Sequence, residues 1–172
     1  EISDVKSVGN STTAPRDLVN EEDVKTVFRV LCESVSTRLR EKGLKGRVVT
    51  IYVRDKELSS FSRQMKIPAN TDISTEIFYY AMKLFCTNYF WNKPIRSLGV
   101  SVSDFDVTYE QFDFEKTVEN REKQERLETA VDSLRRRFGN YCIGRACQLK
   151  DTELSKFNPH EEHIIHPVGF FS

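Results

Sequence analysis

The sequence predicts an α+β fold. It reads as a split β-α-β-β-α-β unit, with two helices on one face of a four-stranded antiparallel sheet, followed by a C-terminal helix-strand extension. Three observations carry this. Apolar residues alternate with polar ones in four short stretches. Between the first and second, and between the third and fourth, they recur with helical spacing. Each of those helices has a single apolar stripe, so both must cover the same sheet face. With 172 residues, 38% hydrophobic and 30% charged, the chain has room for one domain of ordinary size plus an appendage.

The elements follow in order. Residues 5–13, VKSVGNSTT, read as a strand that Pro15 and Asp17 are expected to break. Asn20 is a good N-cap with Asp23 three residues on. Val24, Val27, Phe28, Leu31, Val35 and Leu39 then keep helical spacing until Lys42-Gly43. Residues 47–54, RVVTIYVR, alternate Val49, Ile51 and Val53 against Thr50, Tyr52 and Arg54. A charged turn joins them to 58–67, where Phe61, Met65 and Ile67 share one face and Ser60, Ser62, Gln64 and Lys66 the other, a hairpin. Pro68 to Asp72 read as a loop ending in a capping residue. A second helix is predicted over 73–90, with Ile73, Ile77, Tyr80, Ala81 and Leu84 inward and Phe78, Met82, Phe85 and Tyr89 widening the stripe. The last strand, IRSLGVSVSDF over 95–105, closes the unit. This order is the split-βαβ or ferredoxin-like arrangement, in which the first and last strands are expected to be neighbours.

Those two strands share a peculiarity. Val100, Val102 and Leu98 take one parity of the last strand, and Ser97, Gly99, Ser101 and Ser103 the other. In the first strand Ser7, Gly9, Ser11 and Thr13 share a parity. Glycine and serine are poor strand residues. What they allow is close approach of another backbone, with hydroxyls and amides as donors to phosphate oxygens. Lys6, Arg63, Lys66 and Arg96 lie on or beside these strands and are candidates to supply charge. Because Gly99 points away from the core, a bulky replacement there is expected to leave the fold intact. The net charge is zero; residues 1–105 hold 16 Lys+Arg and 13 Asp+Glu, the remainder 10 and 13, so a nucleic-acid partner needs a local patch.

KSVGNSTT, VTIYVRD, LSSFSRQ and IRSLGVSVSDF, in this order and spacing over residues 5–105, resemble the little-finger domain of bacterial Y-family, lesion-bypass DNA polymerases. The resemblance implies a domain that follows palm, fingers and thumb and lays its sheet along the major groove, holding primer-template duplex without sequence preference. It implies DNA contacts from Lys6, Ser7, Gly9, Ser11, Thr13, Arg63, Lys66, Arg96, Ser97, Gly99, Ser101 and Ser103. Some relatives carry two consecutive basic residues where this chain has Arg96-Ser97. The family's catalysis uses palm carboxylates holding two metal ions, magnesium in the parent enzyme. This chain is expected to be a piece beginning after the palm, without polymerase activity or a cofactor of its own. Partners implied are DNA, the sliding clamp and the rest of the polymerase in cis, in a cytoplasmic, nucleoid-associated setting. Two other modules share the topology. An RNA-binding sheet stacks bases on exposed aromatics, for which only Tyr52 is a platform here; a protein-interaction domain docks another domain on its bare face.

Residues 106–115, DVTYEQFDFE, form an acidic, aromatic linker. By the resemblance, Gln111, Phe112 and Phe114 are a degenerate clamp-binding peptide, with Glu115 where the terminal Phe belongs. The extension is expected over 116–172. Its helix spans 117–138, with Leu127, Ala130, Val131, Leu134 and Phe138 on a docking face and Arg135, Arg136 and Arg137 at its C-terminus, and residues 141–149 allow a strand. The tail His160, His163 and His166 lacks the HExxH spacing, and Cys142 and Cys147 stand as C-x4-C, so no metal site is assigned. The four cysteines, Cys32, Cys86, Cys142 and Cys147, read as reduced thiols, and no Cys, His and carboxylate arrangement for a nucleophilic enzyme is evident. No signal peptide is expected, and no apolar run approaches the ~20 residues of a membrane span.

Overall fold

The computed structural model describes residues 5–105 and 115–158. Strand β1 spans Ser7–Leu18, helix α1 Glu21–Glu41, β2 Gly46–Asp55, β3 Ser60–Thr71, α2 Ser74–Asn88 and β4 Ile95–Ser103. The sheet order is β1-β4-β2-β3, every neighbouring pair antiparallel. Thus β4 lies between β1 and β2, and β2 lies between β4 and β3, so each β-α-β unit is split by a strand of the other. The expected adjacency of first and last strands is found.

Local chemistry explains the elements. The Asn20 side chain accepts from Asp23 N at 2.9 Å, and Gly43, at φ +63°, provides the left-handed residue after α1. Alternation sends Val8, Val49, Ile51, Val53, Leu98, Val100 and Val102 to one side of the sheet. There they meet Val24, Phe28, Leu31 and Val35 of α1 and Ile77, Ala81 and Phe85 of α2, all buried. Among the described residues, the other side of the sheet carries no helix.

Two expected breaks are not breaks. β1 runs through Pro15 to a fully buried Leu18, with a register irregularity between Thr13 and Leu18. β3 runs through Pro68 to Thr71. Both are edge strands, where a missing N–H costs no ladder bond if it faces outward. The start of α2 also differs. Asp72 does not cap it; Oδ1 of that buried carboxyl finds no hydrogen-bond partner among the described residues. Instead Glu128, from a later helix, accepts from Ser74 N through both carboxylate oxygens at 3.0 Å.

That later helix, α3, spans Glu115–Phe138. It lies against the helix layer, and its docking face is not the expected one. Leu127, Leu134 and Phe138 are exposed, while Glu128 and Asp132 are buried. Arg40 of α1 holds both, with Nη1–Glu128 Oε2 and Nε–Asp132 Oδ2 each 2.6 Å. Arg121–Glu76, Lys45–Glu125 and Arg135–Glu33 extend the contact. The strand allowed over 141–149 is not formed; Ala146–Lys150 make a 3-10 turn, followed by a short helix α4, Thr152–Ser155; Leu154 within it and Phe157 just after it are buried. All four cysteines are free thiols, Cys32 buried and the other three exposed. Among the described residues, no helix is long and apolar enough to cross a membrane.

Candidate nucleic-acid interface

Register fixes the helix-free face of the sheet. Residues directly opposite across a ladder share a face. Reading from β1 through β4 and β2 to β3, the face consists of four rows: Ser7, Ser103, Val48, Lys66; Gly9, Ser101, Thr50, Gln64; Ser11, Gly99, Tyr52, Ser62; and Thr13, Ser97, Arg54, Ser60. The alternate β1 position, Asn10, points the other way and donates to Ser34 Oγ of α1 at 3.1 Å.

Eight of the expected residues therefore come together: Ser7, Gly9, Ser11 and Thr13 beside Ser97, Gly99, Ser101 and Ser103. Thr13 and Ser97 hydroxyls lie 3.1 Å apart. Lys66 occupies the first row, its ammonium 3.4 Å from Asp104 and its side chain mostly exposed. Lys6 is exposed one residue before β1. Arg96 sits at a bulge: Arg54 pairs with Ser97 and Asp55 with Ile95, leaving Arg96 as the extra residue. Its guanidinium reaches to 3.8 Å from Asp17, which also faces Lys56 at 3.3 Å.

Arg63 does not join this group. It stands opposite Ile51, so it projects on the helix side of edge strand β3, 5.4 Å over the Phe61 ring. The parity already held this, since Arg63 shares the odd parity of Phe61 and Met65. Seven residues complete the face and were not among the expected contacts: Val48, Thr50, Tyr52, Arg54, Ser60, Ser62 and Gln64. Their signal was the even parity of RVVTIYVR, facing the hairpin's polar face.

The four rows contain two charged residues, Arg54 and Lys66, both cationic, and no carboxylate. Their rows are six residues apart on β3, about 20 Å along the strand. Between them lie hydroxyls, one carboxamide and the half-exposed Tyr52 phenol. Such a surface offers many neutral donors and a modest positive field, which suits an extended polyanion better than a small ligand. Gly99 is not in open space. A Cβ there would stand 3.1 Å from Ser11 Cβ and 3.3 Å from Tyr52 Cβ, so the tolerance expected for a bulky residue is not supported by the geometry. Gln111, Phe112 and Phe114 lie outside the described residues, as do His160, His163 and His166.

Known proteins can now be set beside this geometry. Residues 5–114 match the impB/mucB/samB family C-terminal domain. DNA polymerase IV of Acetivibrio thermocellus is 42% identical over 154 residues, covering 88% of this chain and 39% of that protein. DNA polymerase IV 1 of Bacillus subtilis is 31% identical over 156 residues, covering 88% and 37%. The chain thus spans about two-fifths of the length of these curated relatives. Among solved structures, the little finger domain of PolIV in complex with the beta-clamp processivity factor superposes with a TM-score of 0.50 at 12% identity, over 63% of this chain and 97% of that one. A Dbh ternary complex gives 0.50 at 11%, over 59% and 30%. The chain belongs to the impB/mucB/samB C-terminal domain family, and its fold is that of the little finger of a Y-family DNA polymerase.

Proposed function

We propose that the helix-free face binds the sugar-phosphate backbone of primer-template duplex, without sequence preference, as part of a lesion-bypass DNA polymerase. The observation that carries this is the set of four rows, small and hydroxyl-rich, with cations at both ends and no carboxylate. Nucleotidyl transfer belongs, on this reading, to the part of such a polymerase that the chain does not span. The sliding clamp is the second partner, reached through Gln111, Phe112 and Phe114; support comes from the clamp complex of the similar little finger. A base-stacking RNA platform is less well supported, because Tyr52 is the one aromatic on the four rows.

A fluorescence titration with primer-template DNA at two salt concentrations tests the reading. Ser11→Glu combined with Ser101→Glu should weaken binding at least tenfold on unrelated sequences while circular dichroism is unchanged. Arg54→Ala should flatten the slope of log K against log salt by about 0.9. Wild-type affinity in the glutamate variant would reject the face. The same titration on clamp from the same source should lose binding in Gln111→Ala with Phe114→Ala.

A further inference from the structure

Helix α3 meets the protein through five charged residues and turns apolar ones toward solvent. Arg121, Glu125, Glu128, Asp132 and Arg135, spaced i, i+4, i+7, i+11 and i+14, bond to the layer beneath. Leu127, Val131, Leu134 and Phe138 repeat the same spacing one position earlier or three later, on the adjoining stripe. Leu127, Leu134 and Phe138 are 58%, 41% and 62% exposed. Eleven helical rises from Leu127 to Phe138 make this stripe about 17 Å long. At 3.6 residues per turn, Lys123, Arg126 and Arg137 border it on the side away from the docked face. Lys123 also pairs with Glu119, and the Arg137 guanidinium lies 5.0 Å from the Phe138 ring.

We propose that this stripe docks an acidic amphipathic helix of a partner protein. The spacing is that of a helix-helix seam, in which apolar side chains of two helices interleave. The cationic border selects glutamate or aspartate flanks on the incoming helix. It also disfavours a second copy of α3, whose own arginines and lysine would meet these. The stripe lies on the helix layer, away from the open sheet face, so the inference stands apart from DNA binding.

The test is calorimetric titration of the full chain with two 21-residue model helices. Both carry leucines at i, i+4, i+7 and i+11; one is flanked by glutamates, the other by lysines. The glutamate peptide should bind with a Kd of tens of micromolar and the lysine peptide at least tenfold more weakly. Leu134→Asp should abolish binding, and Arg126→Glu with Arg137→Glu should reverse the preference. No binding, equal binding or an unreversed preference overturns the proposal. So does concentration-dependent dimerisation that Leu134→Asp removes, which assigns the stripe to a second copy. Tenfold tighter peptide binding by a chain ending at Asn158 assigns it instead to residues 159–172, and sedimentation with phosphatidylglycerol vesicles in place of peptide binding assigns it to a lipid surface.

Discussion

A methyl group added at Gly9 would stand 2.6 Å from Ser101 Cβ and 3.1 Å from the Val100 carbonyl oxygen. Neither neighbour is the free end of a long side chain, so the two strands must part to admit it. Overpacking of this kind costs about 1–3 kcal/mol. Gly9→Ala should therefore lower the urea midpoint clearly, and Gly99→Ala, whose nearest contact is 3.1 Å, should lower it less. Equal effects would remove the steric account. Ladder packing thus demands glycine at 9 and favours it at 99, and this steric account covers part of the smallness of the face.

At the scale of elements, α3 is joined to the domain by an ionic seam rather than an oily one. Glu128 serves both the exposed-donor problem at the start of α2 and the charge of Arg40, with Ser36 and Ser74 hydroxyls completing its shell. Removing it leaves Arg40 half-compensated in a buried site. Glu128→Ala should cost about 3–5 kcal/mol in chemical denaturation, and Asp132→Ala should add less to it than it costs alone, since both act on Arg40. Additive losses would show the two carboxylates to be independent. These contacts mark what the sequence could and could not tell. α1 was readable to within a residue or two, because Asn20, Asp23 and Gly43 act locally. The parity of β1 and β4 was readable for the same reason. The α3 face was misread because apolar spacing is evidence of a stripe, not of what the stripe meets. The α2 cap was invisible, because its acceptor lies 54 residues away. Pro15 and Pro68 misled because a strand's edge position is a property of the sheet, not of the segment.

For the whole molecule, three carboxyls whose titrations are shifted in opposite directions contribute to stability in acid. Leu154 N–H and then Arg16 hold Asp151 below the ordinary 3.8. Burial pushes Asp23 up, but Arg16 and Val19 N–H outweigh it and hold it lower. Both contribute stability that is full above pH 3.8 and is lost as pH falls through their depressed values. Burial holds Asp72 above 3.8, so its ionised form opposes folding at neutral pH and protonation on acidification relieves this. Asp72→Asn should raise the urea midpoint at pH 7 more than at pH 4. Asp151→Asn should lower it at pH 7 and have little effect near pH 2. The reverse order in either variant would contradict these assignments. The distant cap on α2 reaches further, into the order of assembly. A ribosome adding 5–20 residues per second finishes Ser74 roughly 3–11 s before it supplies Glu128. Through that interval the sheet and both its helices can form, but the first turn of α2 must do so with its amides turned to water. Nascent chains halted short of α3 should therefore exchange the Ser74 amide freely while the amides of α1 are already protected, so that α2 is closed at its first turn only after its other turns are made.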